Sequence, residues 1–203
     1  MKRFAKSISI LAVLFLLAGT AMGSEALATG TIKGVDADAK TFILTDSTGR
    51  DVTFTFGDMV VVNRGGTESK GDLKTGDAVH VSYDKGLMTS TAKYILVQEG
   101  DSKKWELTQG SFKSHDAATK EIVCTDAQGK DHTYALGDAK VRMNMKEAKV
   151  EDIKIGEQVL CIILEPEENK TTLQALMFER DEEPVGSMPR QSDRVVPEPS
   201  VKE

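Results

Sequence analysis

The chain repeats itself at a fixed spacing. From Gly30 onward, residue i matches residue i+80 without a gap for about fifty positions. A repeat of this kind defines the architecture before any strand is assigned, because each copy must fold into the same small unit. The matched residues are mainly turn formers and strand formers, and the pairs include Gly30/Gly110, Lys33/Lys113, Asp36/Asp116, Thr45/Thr125, Asp46/Asp126, Gly49/Gly129, Asp51/Asp131, Asp72/Asp152 and Gly76/Gly156. The sequence therefore predicts two copies of one module, and the repeated residues include no recognisable catalytic set.

Each copy is predicted to be all-β. Apolar and polar residues alternate over 52–56 and 78–83, the pattern of strands with one buried face. Asp46 and Gly49 close a hairpin, because Asp caps turns and Gly accepts a positive φ. We expect a break at residues 57–58 and one helical turn at 72–76, which ends at a glycine. Five or six short strands per copy predict a small closed barrel, with a sandwich as the alternative.

The turns and strand starts of both copies resemble a known type of domain. The motifs are Gly30-Thr-Ile-Lys-Gly-Val-Asp36, then Lys40 before a strand, then Asp72-Leu-Lys-Thr-Gly-Asp-Ala-Val. They resemble the OB-like β-barrel repeats of bacterial exported proteins of unknown function, and more distantly the periplasmic copper chaperone with an OB fold. The resemblance covers about residues 30–97 and 110–178. It implies two tandem OB-like barrels of five to six strands each.

Residues 1–28 are predicted to be a signal peptide for export. Basic residues precede an apolar run at 8–17, and small residues then offer cleavage after Gly23 or after Ala28. The run is short for a permanent transmembrane helix, and an uncleaved anchor is the alternative. We expect a protein of the periplasm or the extracellular space that is not inserted in a membrane after cleavage.

Composition divides the rest of the chain. The first barrel repeat is predicted at 29–98, a linker and first-strand lead-in at 99–109, and the second barrel repeat at 110–180. The acidic, proline-rich segment 181–203 has almost no large apolar residue, so we expect a disordered tail. Modules this small have marginal cores, and we expect the two to pack on each other or to gain from a disulfide.

The net charge limits the class of partner. Residues 1–28 hold three basic residues and one acidic residue, so their removal changes the net charge from -6 to -8. Nucleic-acid binding needs basic grooves and stacking aromatic rings, and anionic lipid attracts basic segments. We therefore expect no nucleic-acid partner, and a protein or glycan of the cell envelope instead.

Cys124 and Cys161 are the only cysteines, and both belong to the second copy. They replace Leu44 and Val81 of the first copy, which are predicted core positions, and cysteine packs there as a small apolar residue. In an oxidising compartment the two could also be bridged. The sequence leaves both alternatives open, a buried thiol pair and a disulfide.

Copper is the one cofactor that the resemblance suggests. The chaperone's ligands are a histidine ending its second strand, a Met-x-Met pair opening its third strand, and a nearby tryptophan. The second strands here end in Thr45-Asp46 and Thr125-Asp126 instead. The soft side chains of the second copy, which could suit Cu(I), are elsewhere, and they are His115, His132, Met143 and Met145, with Trp105. Core packing of the methionines is the alternative.

Function is predicted by elimination and by loop position. The sequence has no nucleophile motif or zinc-spaced histidine pair, so we expect no enzyme and no resident cofactor. The copies differ most at Asn63, Arg64, Gly65 and Gly66 and at the counterpart 140–149, which predicts a partner-binding loop, with relaxed sequence constraint as the alternative. We expect a non-catalytic binding or interaction module of the cell envelope. The alternatives are a soft-metal protein and a structural envelope protein without a small ligand.

Overall fold

The computed structural model of the protein describes residues 24–167 and 170–180. There it consists of β-strands joined by short turns and two 3₁₀ turns, so the all-β prediction is confirmed. Most of the predicted signal peptide and all of the predicted tail lie outside the described residues. The strands are β1 (Ser24–Asp36), β2 (Thr41–Asp46), β3 (Asp51–Arg64), β4 (Thr67–Ser69), β5 (Ala78–Lys85), β6 (Ser90–Val97), β7 (Trp105–Asp116), β8 (Glu121–Thr125), β9 (Asp131–Ala135), β10 (Lys140–Met143), β11 (Lys146–Glu147), β12 (Gln158–Glu167) and β13 (Lys170–Phe178).

The first sheet closes into a five-stranded barrel. Antiparallel pairing links β3 to β2, β2 to β1, β1 to β5 and β5 to β6, and β6 then runs parallel to β3 and closes the ring. The short strand β4 extends β3 at an edge. Inward apolar side chains fill the barrel, and Phe42 stacks on Phe54 with ring centroids 5.2 Å apart. The buried core comprises Ile32, Phe42, Leu44, Phe54, Val60, Val62, Leu73, Val79, Val81, Ala92, Ile95 and Val97.

The second sheet has the strand order β11-β10-β13-β12-β7-β8-β9, and β9 also pairs with β13 at Ala135 and Thr172. Its register follows the first sheet at a distance of 80 residues. The irregularity between Ile32 and Gly34 in β1, for example, lies between Phe112 and Ser114 in β7. Its buried core comprises Phe112, Ile122, Cys124, Tyr134, Val150, Ile153, Val159, Cys161, Leu173, Leu176 and Phe178.

Two of the matched glycines allow a close approach of strands. A Cβ on Gly30 would lie 2.2 Å from the carbonyl oxygen of Thr45, and one on Gly110 would lie 2.8 Å from that of Thr125. Gly30 pairs with β2 on one side and with β5 on the other. Only a residue without a side chain fits where three strands meet this closely.

The predicted hairpin turns are confirmed. The Asp46 carboxylate accepts hydrogen bonds from the backbone N–H groups of Thr48 and Arg50, at 2.9 and 3.0 Å. Asp126 accepts the corresponding bonds in the second sheet. Gly49 and Gly129 both adopt a φ of 81°. These bonds join residues at most four positions apart, which is why the sequence alone predicts them.

One local prediction is met in part and another is wrong. β3 continues through Gly57 to Arg64, but its pairing with β6 shifts register between Phe56 and Val61, where a Cβ on Gly57 would lie 2.8 Å from the Ala92 carbonyl oxygen. Residues 72–76 do not form a helical turn. The Arg64 guanidinium donates a hydrogen bond to the Asp72 carbonyl oxygen, and the Gly76 N–H donates to the carbonyl of Ile32 in β1. These two groups are therefore not bonded to each other, as a helical turn would require. The predicted linker contains a 3₁₀ turn at Gly100–Lys104, followed directly by β7.

Candidate functional site

A third apolar cluster lies between the two sheets. We call it the interface cluster, and it comprises Tyr94, Leu96, Leu107, Ile162, Ala175 and Met177, with Val61, Trp105 and Leu160 partly buried against it. The central strands are therefore apolar on both faces. On β6, for example, Ile95 and Val97 point into the barrel, whereas Tyr94 and Leu96 point toward the second sheet. The expectation that the two modules pack on each other is met by this cluster.

A cleft of about 700 Å³ opens beside the interface cluster, and both sheets line it mainly with apolar atoms. Its apolar floor includes Val60, Ala92, Leu160 and Phe178. Three methionines line it as well, at positions that differ in exposure. They are Met59, which is exposed, Met145, which is half-buried, and Met177, which is buried. Methionine side chains are flexible and polarizable, so this wall can adapt to differently shaped apolar groups.

Lys93 connects the two sheets at the edge of this cleft. Its ammonium group pairs with Glu25 of the first sheet at 2.6 Å and with Glu179, which follows the last strand of the second sheet. Asp84 lies 3.9 Å away. Burial lowers the pKa of Lys93, but the hydrogen bonds to Glu179 and Glu25 outweigh it and the pKa is raised. Lys93 therefore stays charged and holds its two partners.

Polar bonds cross the junction beside the apolar contacts. Gln109 Nε2 donates to Ser82 Oγ at 3.3 Å, and Arg142 of the second sheet pairs with Glu68 of the first. Within the first sheet, Asn63 donates to the Tyr94 hydroxyl at 2.8 Å. Burial raises the pKa of that hydroxyl, so it stays protonated. The junction combines an apolar centre with polar edges, as stable interfaces do.

The cleft lining carries an excess of negative charge. Among the residues that the structure describes, its carboxylates are Glu25, Asp58, Asp84 and Glu179, and its single basic residue is Lys93. Four carboxylates against one ammonium leave three uncompensated negative charges. A cleft lined by one sign of charge with low-dielectric walls attracts the opposite sign more strongly than a flat surface does.

The predicted soft ligands lie in different surroundings. His132 Nε2 donates to Asp126 at 2.7 Å, and its ring stacks on Tyr134. His115 Nδ1 lies 3.9 Å from Glu151. Met143 packs against the core of the second sheet, whereas Met145 lines the cleft. Within the described residues, no group of three or more His, Cys, Asp or Glu side chains is arranged to hold a metal ion. The soft-metal hypothesis stays a prediction.

Cys124 and Cys161 are buried together in the core of the second sheet as free thiols. A hydrogen bond joins the two groups. It lowers the pKa of Cys124, and together with burial it raises that of Cys161 well above its ordinary value. The structure thus buries both cysteines in one core as neighbouring thiols, and the disulfide alternative stays a prediction.

The loop at residues 63–66, which is predicted to bind a partner, makes its polar contacts with other residues of the same chain. The Arg64 guanidinium pairs with Asp72, Asp77 and Glu99, and only 16% of the side chain is exposed. Its bond to Asp77 is the largest of the contributions that raise its pKa. Gly65 N–H donates to Ser102 Oγ at 3.1 Å. These contacts assign the loop a structural role, and its partner-binding role stays a prediction.

The sequence pattern of each module does not mark the cleft residues, because alternation identifies only the side chains that point into the module. Leu160 and Met177 occupy positions that face out of their own sheet. The available signal was that both lie in runs that are apolar at successive positions, 159–164 and 175–178. Such runs indicate strands buried on both faces.

Comparison with models of protein families finds no match. No curated protein matches the chain. Solved structures similar to the chain include three of CusF. A crystal structure of Ag(I)-CusF is 21% identical, covers 36% of this chain and 97% of CusF, and has a TM-score of 0.30. Ag(I)-CusF from Escherichia coli is 21% identical, with 38% and 95% covered and a TM-score of 0.31. Apo-CusF from Escherichia coli is 20% identical, with 40% and 95% covered and a TM-score of 0.32.

The chain thus bears a distant structural resemblance to CusF, which confirms the resemblance to the copper chaperone stated from the sequence. Among the described residues, no helix is long and apolar enough to cross a membrane.

Proposed function

We propose that the chain is a non-catalytic binding module, exported through a cleaved signal peptide. In this proposal the two sheets are tandem OB-like barrels, and their ligand site is the cleft between them. The ligand belongs to the cell envelope or its surroundings, in the periplasm or outside the cell.

The observation that supports this proposal is the cleft itself. Its volume of about 700 Å³ lies within the usual range for small-molecule sites, which is roughly 300–1,000 Å³. Mainly apolar walls with a few polar groups at a junction of two units are typical of such sites. The interface cluster forms part of its floor, through Tyr94, Leu160 and Met177, so the site is complete only when both sheets are folded and packed.

The test is a ligand-observed NMR screen of the mature protein against a small-molecule library, with two matched variants. Met59→Gln changes an exposed methionine that lines the cleft, and Met88→Gln changes an exposed methionine outside it. We expect saturable ligands whose affinity falls about fivefold in Met59→Gln, because the ligand then covers one apolar side chain fewer, and not in Met88→Gln. Ligands indifferent to Met59→Gln, or the absence of any saturable ligand, would favour a purely structural role.

A further inference from the structure

The charges around the cleft identify the class of molecule that it would take. This inference rests on the proposed binding function. The floor is apolar, while the rim carries four carboxylates and one ammonium group. A ligand that fills the cleft must therefore offer apolar surface to the floor and place compatible charge at the rim.

An anionic ligand is disfavoured by this lining. Among the described residues that line the cleft, Lys93 is the only positive group, and it is already engaged by Glu25 and Glu179. An anion would have to displace one of these carboxylates and would still face the others. Like charges brought together in a partly desolvated site repel each other strongly.

A cationic ligand is favoured by the same lining, because carboxylates of the rim are available to it. Asp84 lies 3.9 Å from Lys93, outside hydrogen-bond distance, and its carboxylate is 44% exposed at the rim. Asp58 is exposed on the same rim. These two carboxylates can accept hydrogen bonds from a bound cation without breaking the Lys93 bridge between the sheets. Charge-assisted bonds of this kind are stronger than neutral ones.

We propose that the cleft binds amphiphilic organic cations, with the apolar body on the methionine-lined floor and the cationic group at the acidic rim that includes Asp58 and Asp84. Apolar burial supplies most of the affinity and the two carboxylates select the sign of the charge. Binding is therefore weaker at high salt, because the rim is open to solvent.

The experiment measures, by calorimetry at low salt, the binding of octylammonium, octyl sulfate and octyl glucoside to the full mature protein, each below its critical micelle concentration. The three probes share one apolar chain and differ in head-group charge. We expect octylammonium to bind saturably and most tightly. The double variant Asp58→Asn/Asp84→Asn should weaken it about fivefold, the effect of losing two partly exposed ion pairs.

The matched control is Asp38→Asn/Asp101→Asn, which removes the same charge at exposed positions outside the cleft and should leave the affinity unchanged. Octyl glucoside that binds as tightly as octylammonium and is weakened by Met59→Gln would overturn the inference and leave the binding function standing. Tighter binding of octyl sulfate, or no binding of octylammonium, would also overturn it. The separate library screen decides whether the binding function itself fails.

Discussion

Leu96→Ala should destabilise the whole protein, because Leu96 links the two sheets. The side chain is fully buried in the interface cluster, on strand β6 of the first sheet. The substitution removes three carbon atoms, which at about 0.8 kcal/mol per methylene is roughly 2.4 kcal/mol of lost transfer free energy. A residual cavity adds to this, so the free energy of unfolding should fall by about 3 kcal/mol. The melting temperature should fall by about 6–12 °C for a chain of this size.

The assay is urea denaturation followed by two signals. Trp105 is the only tryptophan and packs against the interface cluster, so its fluorescence reports on the junction, while far-UV circular dichroism reports on all strands. Leu87→Ala is the matched control, because Leu87 is fully exposed at the hairpin tip between β5 and β6 and its loss should cost less than about 0.5 kcal/mol. If Leu96→Ala cost no more than Leu87→Ala, the cluster would not hold the sheets together.

Three further outcomes follow from particular contacts. Arg64→Ala should lower the free energy of unfolding by about 2–3 kcal/mol in urea, since it leaves the poorly exposed Asp77 without its guanidinium partner. Arg50→Ala, whose side chain is 76% exposed, should cost under about 1 kcal/mol, and equal costs would contradict the structural role of Arg64. The hydrogen bond from the Thr48 hydroxyl and that from the Arg50 backbone N–H lower the pKa of Asp46 from 3.8 to about 2. A carboxylate whose pKa is lower in the folded than in the unfolded protein stabilises the fold at pH values above the unfolded-state pKa. This stabilisation is lost as the pH falls through the folded-state pKa. The free energy of unfolding should therefore fall less steeply between pH 4 and 2 in Asp46→Asn than in the unsubstituted protein. Equal slopes in the two proteins would refute this. If the proposed export and cleavage occur, intact-mass measurement of the protein from its own cells should give Ser24 as the first residue, because 24–28 pair with β5 and Ala28 packs on the core. A first residue at Thr29 would exclude this.

Much of the fold can be predicted from the sequence, because it depends on short-range chemistry. The Asp46 and Gly49 turn and its copy at 126–129 involve bonds over at most four residues. The alternation on β5 marks its buried face directly. The errors occurred where a distant element decides a local conformation. The pairing of β3 with β6 shifts register around Gly57, and the segment after Asp72 is not helical because Arg64 donates a hydrogen bond to the Asp72 carbonyl oxygen.

The candidate site, unlike the hairpin turns, could not be predicted from the sequence. The 80-residue repeat, the all-β class and the inward apolar positions are all present in the order of the amino acids, since each reflects a pattern within one module. The cleft cannot be recognised in the order of the amino acids, because its walls come from β1, β3, β5 and β6 of one sheet and β7, β12 and β13 of the other. Which outward-facing residues meet, and which carboxylates surround Lys93, depends on how the two sheets pack. That packing is a long-range contact among residues up to 86 positions apart, as between Lys93 and Glu179, and only the tertiary structure determines it.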